Sequence, residues 1–321
     1  MTGYTPETLP PQWWQYMPLE TVAYVHGKGG TGKSTVSAHH SGISAMLAQY
    51  SAQEEGGEAS RTLHIDLNKQ GNGCEDLGIT GTSVDDQGLN LYEAIALGKP
   101  LTPVRDVRPG LDLIVGGQHL ELLSGIMPQK IAREGAKANL RLVCAVLPIA
   151  SQYARIVIDT PPENDILQDL AYPAARFLVV PTKVDVGSLK GLAEVANKYE
   201  SATALNPDLT LLATVLFDVE RSAHAIHREA RRKIDAVLAG AAPVMNASIS
   251  HVATASVESR DKGRLTFELE ADILGRVRNR SDAKRRPTPI ENLARDYYDF
   301  YMELTELMDA HTLAADEGLS A

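Results

Sequence analysis

Residues His26 to Thr35 read His-Gly-Lys-Gly-Gly-Thr-Gly-Lys-Ser-Thr, which fits the phosphate-loop pattern G-x-x-x-x-G-K-[ST] from Gly27 to Ser34 and adds a second lysine, Lys28. Glycine at Gly29, Gly30 and Gly32 permits positive φ, so backbone N–H groups can turn inward and form a nest for an anion. Lys33 is expected to reach the β- and γ-phosphates of a nucleotide and Ser34 to place its hydroxyl on Mg²⁺. A helix opening near Gly32 would direct its positive end at the same charge. Gly27, Thr31 and Thr35 complete the cradle. Two carboxylates, Asp66 and Asp159, each end a short apolar run, Thr62–Asp66 and Arg155–Asp159. Asp159, delivered by a buried strand after the phosphate loop, fits the Walker B pattern and would hold Mg²⁺ through water. The chemistry of such a set is nucleoside triphosphate hydrolysis, with ATP and Mg²⁺ as the expected cofactors. Chemistry alone does not exclude guanine.

These residues need strands and helices to bring them together. Thr21–His26 is β-branched and aromatic, and Val36, His40, Ile43 and Leu47 recur at helical spacing after the loop, which gives the strand, loop and helix that the motif requires. Further strands are expected at Leu111–Val115, Arg176–Val180 and Leu211–Phe217. Helices are expected at Asn90–Ile95, Ala136–Val146, Leu189–Tyr199, Ser222–Leu238 and Ile290–Met308. Gln53–Glu58 reads as a polar turn. Alternating β and α elements predict an α/β fold, a mostly parallel twisted sheet flanked by helices. In such sheets ligands gather beyond the carboxyl ends of strands, which places Asp66, Asn68, Gln70 and Asn72 near the phosphates. The expected organisation is an arm over residues 1–18, one domain over 19–310 and a tail over 311–321. The arm should pack Trp13, Trp14 and Tyr16 on the body.

Lys28 to Thr35, Lys-Gly-Gly-Thr-Gly-Lys-Ser-Thr, resembles the deviant Walker A box of the ParA and MinD-type P-loop ATPases. Ile65-Asp66-Leu67-Asn68-Lys69-Gln70-Gly71-Asn72 is similar to the ParA switch I segment, I-D-L-D-P-Q-G-N, and Asp159-Thr160-Pro161-Pro162 resembles its switch II. The resemblance implies that Lys28 crosses a dimer interface to the partner's nucleotide, and that Lys28, Lys33, Asp66 and Asn68 form the catalytic set. Two positions depart from the pattern. Lys69 replaces a proline, and Asn68 replaces an aspartate that helps place the attacking water; on account of Asn68, hydrolysis is expected to be slow. The resemblance further implies a partition ATPase: an ATP-dependent homodimer or higher assembly that binds DNA nonspecifically. It would act with a ParB-like centromere-binding partner on a plasmid, phage or chromosome, in the cytoplasm and on the nucleoid.

With 31 Lys and Arg against 41 Asp and Glu, the net charge of −10 argues against wholesale coating of nucleic acid, but it allows a local basic patch. Basic residues cluster in the C-terminal half. Such runs are usually solvated faces, yet the resemblance assigns DNA contact to that half, and the candidates are Arg221, Arg228, Arg232, Arg276, Arg278 and Arg280. Cys74 and Cys144 have no ligand spacing and read as ordinary thiols. No apolar stretch is long enough to span a bilayer, and the acidic last helix does not suit membrane targeting, so no membrane partner is expected. A metal-cluster or transport ATPase would need cysteines after switch II, and a tyrosine kinase would need a terminal tyrosine cluster. A slowly hydrolysing nucleotide-dependent scaffold or filament is the alternative that Asn68 keeps open.

Overall fold

A computed structural model describes residues 3–162, 164–277 and 286–316. Its strands are β1 (Glu20–Tyr24), β2 (Thr62–Asp66), β3 (Val104–Arg108), β4 (Leu111–Ile114), β5 (Arg155–Asp159), β6 (Phe177–Thr182), β7 (Thr210–Val219) and β8 (Val244–Ser250). They form one sheet in the order β3-β4-β2-β5-β1-β6-β7-β8. Every pairing is parallel except that of β3 with β4. The expected mostly parallel α/β sheet is therefore present.

The helices are α1 (Lys33–Glu55), α2 (Asn72–Asp76), α3 (Leu89–Leu97), α4 (Leu123–Glu134), α5 (Arg141–Ala150) and α6 (Asp165–Ala174). They continue with α7 (Val186–Thr203), α8 (His224–Leu238), α9 (Ala253–Asp261), α10 (Thr266–Val277) and α11 (Pro289–Asp316). Strand alternation divides them between two apolar layers. In β1, Ala23 joins the layer containing residues of α3 to α8, whereas Val22 and Tyr24 join the layer containing residues of α1, α2 and α9 to α11. A one-residue slip of β1 would exchange these layers, so the register is strongly fixed.

Several boundaries differ from the sequence expectation. Helix α1 continues through the predicted turn to Glu55 and stops at Gly56, whose φ of 74° gives a left-handed cap. The helix expected at Ala136–Val146 begins as a 3₁₀ segment, Gly135–Leu140, and becomes α-helical only at Arg141. Helix α11 runs beyond Met308 to Asp316. Trp13 is buried and Trp14 packs on the body, but Tyr16 faces solvent because the 3₁₀ turn Trp13–Tyr16 presents only part of its circumference to the sheet layer.

The outer edge of β8 is satisfied by side chains. Glu303 accepts the Asn246 and Ala247 N–H groups, each at 2.7 Å, and Asp296 accepts the Ser250 N–H at 2.9 Å. Arg231 donates to the carbonyls of Met245 and Asn246 at 3.1 and 2.8 Å. Such covering blunts an edge that would otherwise offer itself to another strand.

Candidate functional site

The site begins where β1 ends, at the middle of the sheet. The loop from Val25 to Gly32 passes into α1, with φ of 72° at Gly30 and 92° at Gly32. At Gly32 a Cβ would also lie 2.4 Å from the Phe217 ring, so glycine is required by both conformation and space. Gly29 corrects the sequence reading: it is not among the positive-φ residues, and a Cβ there would make ordinary contact with Pro162. The loop folds on itself. Lys33 is buried and its Nζ donates to the Lys28 carbonyl at 3.2 Å, while the Lys28 N–H donates to His26 Nδ1 at 3.0 Å. Burial and the Lys33 charge push His26 down to about 4, keeping this ring neutral.

A cavity of about 430 Å³ opens over the loop, lined by Thr31, Lys33, Ser34, Thr35 and Asn68 among others. Asp159 and Asp66 are register partners at the carboxyl ends of β5 and β2, and both are fully buried. Asp66 is tied down: Oδ1 accepts the Asn68 N–H at 2.8 Å and Oδ2 the Cys74 N–H at 3.0 Å. Burial nevertheless pushes Asp66 up to about 6. Neither oxygen of Asp159 is paired in a hydrogen bond, although the Ser34 hydroxyl is near enough to favour the anion. Burial first, then the facing Asp66, raises Asp159 well above the usual carboxylate range. An orphaned buried carboxylate beside a phosphate-loop serine is what Mg²⁺ requires, since that ion takes one or two carboxylates and otherwise water and phosphate oxygens. Among the described residues no group of three or more His, Cys, Asp or Glu could form an all-protein cage. The donor set therefore fits a nucleotide-borne Mg²⁺ held by Ser34 and Asp159.

Lys28 lies at the rim, where its Nζ donates to Asp185 Oδ1 at 2.6 Å. Asp185 also caps α7 by accepting the Ser188 N–H at 3.0 Å, and Lys28 holds its carboxyl down at about 2. The sequence reading missed this partner because it stands 157 positions away with no motif around it.

The profile of a family described as an AAA domain matches residues 19–211, more than half of the chain. The chain is 27% identical over 201 residues to a ParA family protein of Chlamydia pneumoniae, covering 62% of this chain and 71% of the relative. It is 28% identical to the chromosome partitioning protein ParA of Myxococcus xanthus, over 63% of this chain and 65% of that one. This chain belongs to the ParA family of P-loop ATPases. Solved structures show the same fold at lower identity. A variant of Cyanothece McdA in its ATP complex aligns with a TM-score of 0.63 at 18% identity, over 86% of this chain and 95% of its own. MinD of Pyrococcus horikoshii with Mg-ADP aligns at 0.59 and 16% identity, over 90% and 98%.

Beyond the matched part of this ParA-family chain, the C-terminal third supplies the opposite cavity wall, including Phe217, Asp218, His251, Arg260 and Tyr297. Asp218 adopts a left-handed φ of 62°, held by Lys183 at 2.6 Å and His251 at 2.5 Å. Arg260 joins three segments: it donates to Asp76 of α2 at 2.8 Å and to Thr35 Oγ1 at 3.2 Å from its place on α9. No motif in the sequence marks Arg260 among the basic residues of the C-terminal half.

Of the basic candidates, Arg221 and Arg228 line one groove beside β8 together with Arg231. Arg221 bonds Asp296 at 2.5 Å and the Asn292 carbonyl at 2.9 Å. Arg232 pairs with Glu229 on its own helix, and Arg228 is exposed. Arg276 falls in α10; its side chain, like Arg278 and Arg280, lies outside the described residues. No helix among the described residues is long and apolar enough to cross a membrane.

Proposed function

We propose that this protein is an ATP-dependent partition ATPase, which dimerises on ATP, binds DNA without sequence preference and positions a DNA cargo with a ParB-like partner. The observation that carries this reading is the joining of a phosphate cradle to a rim lysine. Lys28 is two-fifths exposed and held by a surface carboxylate rather than by its own cradle, a position from which it can be handed to a second subunit. The relatives named for chromosome partitioning support the cargo.

In this reading Lys33 and the loop N–H groups bind and orient the phosphates, Ser34 and Asp159 hold Mg²⁺, and Asp66 fixes the switch turn through its bonds to Asn68 and Cys74. The metal supplies charge neutralisation at the phosphates. DNA contact is assigned to Arg228 with Arg221, Arg232, Arg276, Arg278 and Arg280, through the phosphate backbone. Light scattering tests the dimer: ATP with Mg²⁺ should double the mass, and Lys28→Ala should prevent this while nucleotide still binds. An unchanged dimer fraction in Lys28→Ala removes the cross-subunit role.

A second reading, a scaffold that scarcely turns over, is favoured by Asn68, because an amide cannot accept a proton from water. Single-turnover hydrolysis with DNA and partner separates the two. A faster Asn68→Asp variant identifies the missing carboxylate as the brake, and equal rates place the brake elsewhere.

A further inference from the structure

Asn68 is 1% exposed and belongs to the wall of the cavity that Lys33 and Ser34 also line. Its amide orientation is set by its neighbours. Oδ1 accepts the Gln70 N–H at 3.0 Å; rotating the amide by half a turn would set two donors against each other. The main chain is fixed as well, since the Asn68 N–H donates to Asp66 Oδ1. What remains is Nδ2, buried and without any hydrogen-bond partner. Buried donors are almost always paired, so an orphan on the wall of a ligand cavity points to an acceptor on the ligand.

The sheet order identifies that acceptor. Phe217, Asp218 and His251 stand at the ends of β7 and β8, on one side of β1, whereas Asn68 follows β2 on the other side. A nucleotide laid across the loop at the end of β1, with its base towards β7, points its terminal phosphate towards β2. Asp159, on the intervening β5, would hold the metal. We infer that the Asn68 amide donates to an oxygen of the terminal phosphate and makes the site discriminate triphosphate from diphosphate. The residue thus acts on the bound ground state, in a place where a carboxylate would instead present negative charge to the γ-phosphate. The inference rests on reading the cradle as a nucleotide site.

The test measures Kd for a non-hydrolysable ATP analogue and for ADP, both with Mg²⁺, on the full chain. Asn68→Ala should weaken the triphosphate about 10- to 100-fold, the range of a hydrogen bond to a charged group, and leave ADP within about twofold. Asn68→Asp should weaken the triphosphate at least as much. The ADP affinity doubles as the control for folding, since a damaged fold loses both ligands. An unchanged triphosphate-to-diphosphate ratio in both variants overturns the inference. Lys33→Ala gives a separate signature: it should weaken both nucleotides together, and if it weakens neither, the cradle reading itself fails.

Discussion

The nucleotide cavity and the C-terminal basic segments both concentrate charge, but they treat it in opposite ways. Around the cavity, Asp159 and the Asn68 amide are buried with polar atoms unmatched. In the C-terminal half, Arg221, Arg232, Lys262 and Arg264 each have an acidic partner within 3.0 Å, and Arg231 spends its guanidinium on backbone carbonyls. Charge that the chain balances itself holds the fold, whereas an unmatched buried carboxylate and amide beside a phosphate loop mark what a ligand completes. By this measure the cavity declares its function more clearly than the arginines do.

The comparison is broken most forcefully at Asp159. Replacing it with Asn should cut hydrolysis on the order of 10³-fold, because the metal loses its protein anion. The nucleotide-free protein should at the same time gain about 1 kcal/mol, since no charge then needs burying. Steady-state turnover and thermal unfolding of one preparation check both; a lower melting temperature would show that Asp159 is satisfied without ligand.

Acid sharpens the contrast next. His26, His39, His40 and His64 are buried and held neutral, His26 and His39 down to about 4 and the other two down to about 3. Their folded values lie below the unfolded one, so the unfolded chain takes protons first and stability is lost as pH falls from about 6.5 towards 4. Asp66, up at about 6, and Asp159 act in the other sense, because the folded chain takes those protons first. Four histidines against two carboxylates leave about two protons, or about 3 kcal/mol per pH unit near pH 5. Urea unfolding at pH 6 and pH 5 should show this fall. Mg-nucleotide, by keeping both carboxylates ionised, should steepen it.

The smallest effects lie on the basic side. Glu303→Ala strips two N–H acceptors from β8 and should cost about 1 kcal/mol. Arg228→Ala should change stability by less than about 0.5 kcal/mol, yet weaken binding to every duplex alike and lower its salt dependence. Chemical unfolding alongside DNA titrations at two salt concentrations separates the pair.

The centre of this architecture was legible because its residues are dictated by chemistry at fixed spacing. A phosphate loop needs its glycines and lysine, and parallel buried strands read as apolar runs such as Arg155–Asp159. Other parts carry no such code. Strand β3, Val-Arg-Asp-Val-Arg, is charged because it lies on an edge, where Arg105 and Arg61 neutralise the buried Asp112 of β4, and no alternation announces it. Helix α10 went unforeseen among charged residues. The partnerships of Lys28 with Asp185 and of Arg260 with Thr35 join positions more than 150 residues apart, and only folding brings them together.

The side-chain covering of β8 governs how copies of this protein can join. A sheet running on without limit from subunit to subunit must use both borders of each copy, and pairing through β3 alone would stop at two. With Glu303, Asp296 and Arg231 already occupying the β8 border, backbone templating into a cross-β polymer is closed off. Any filament must be assembled from apposed faces, by joints that part without unzipping a strand.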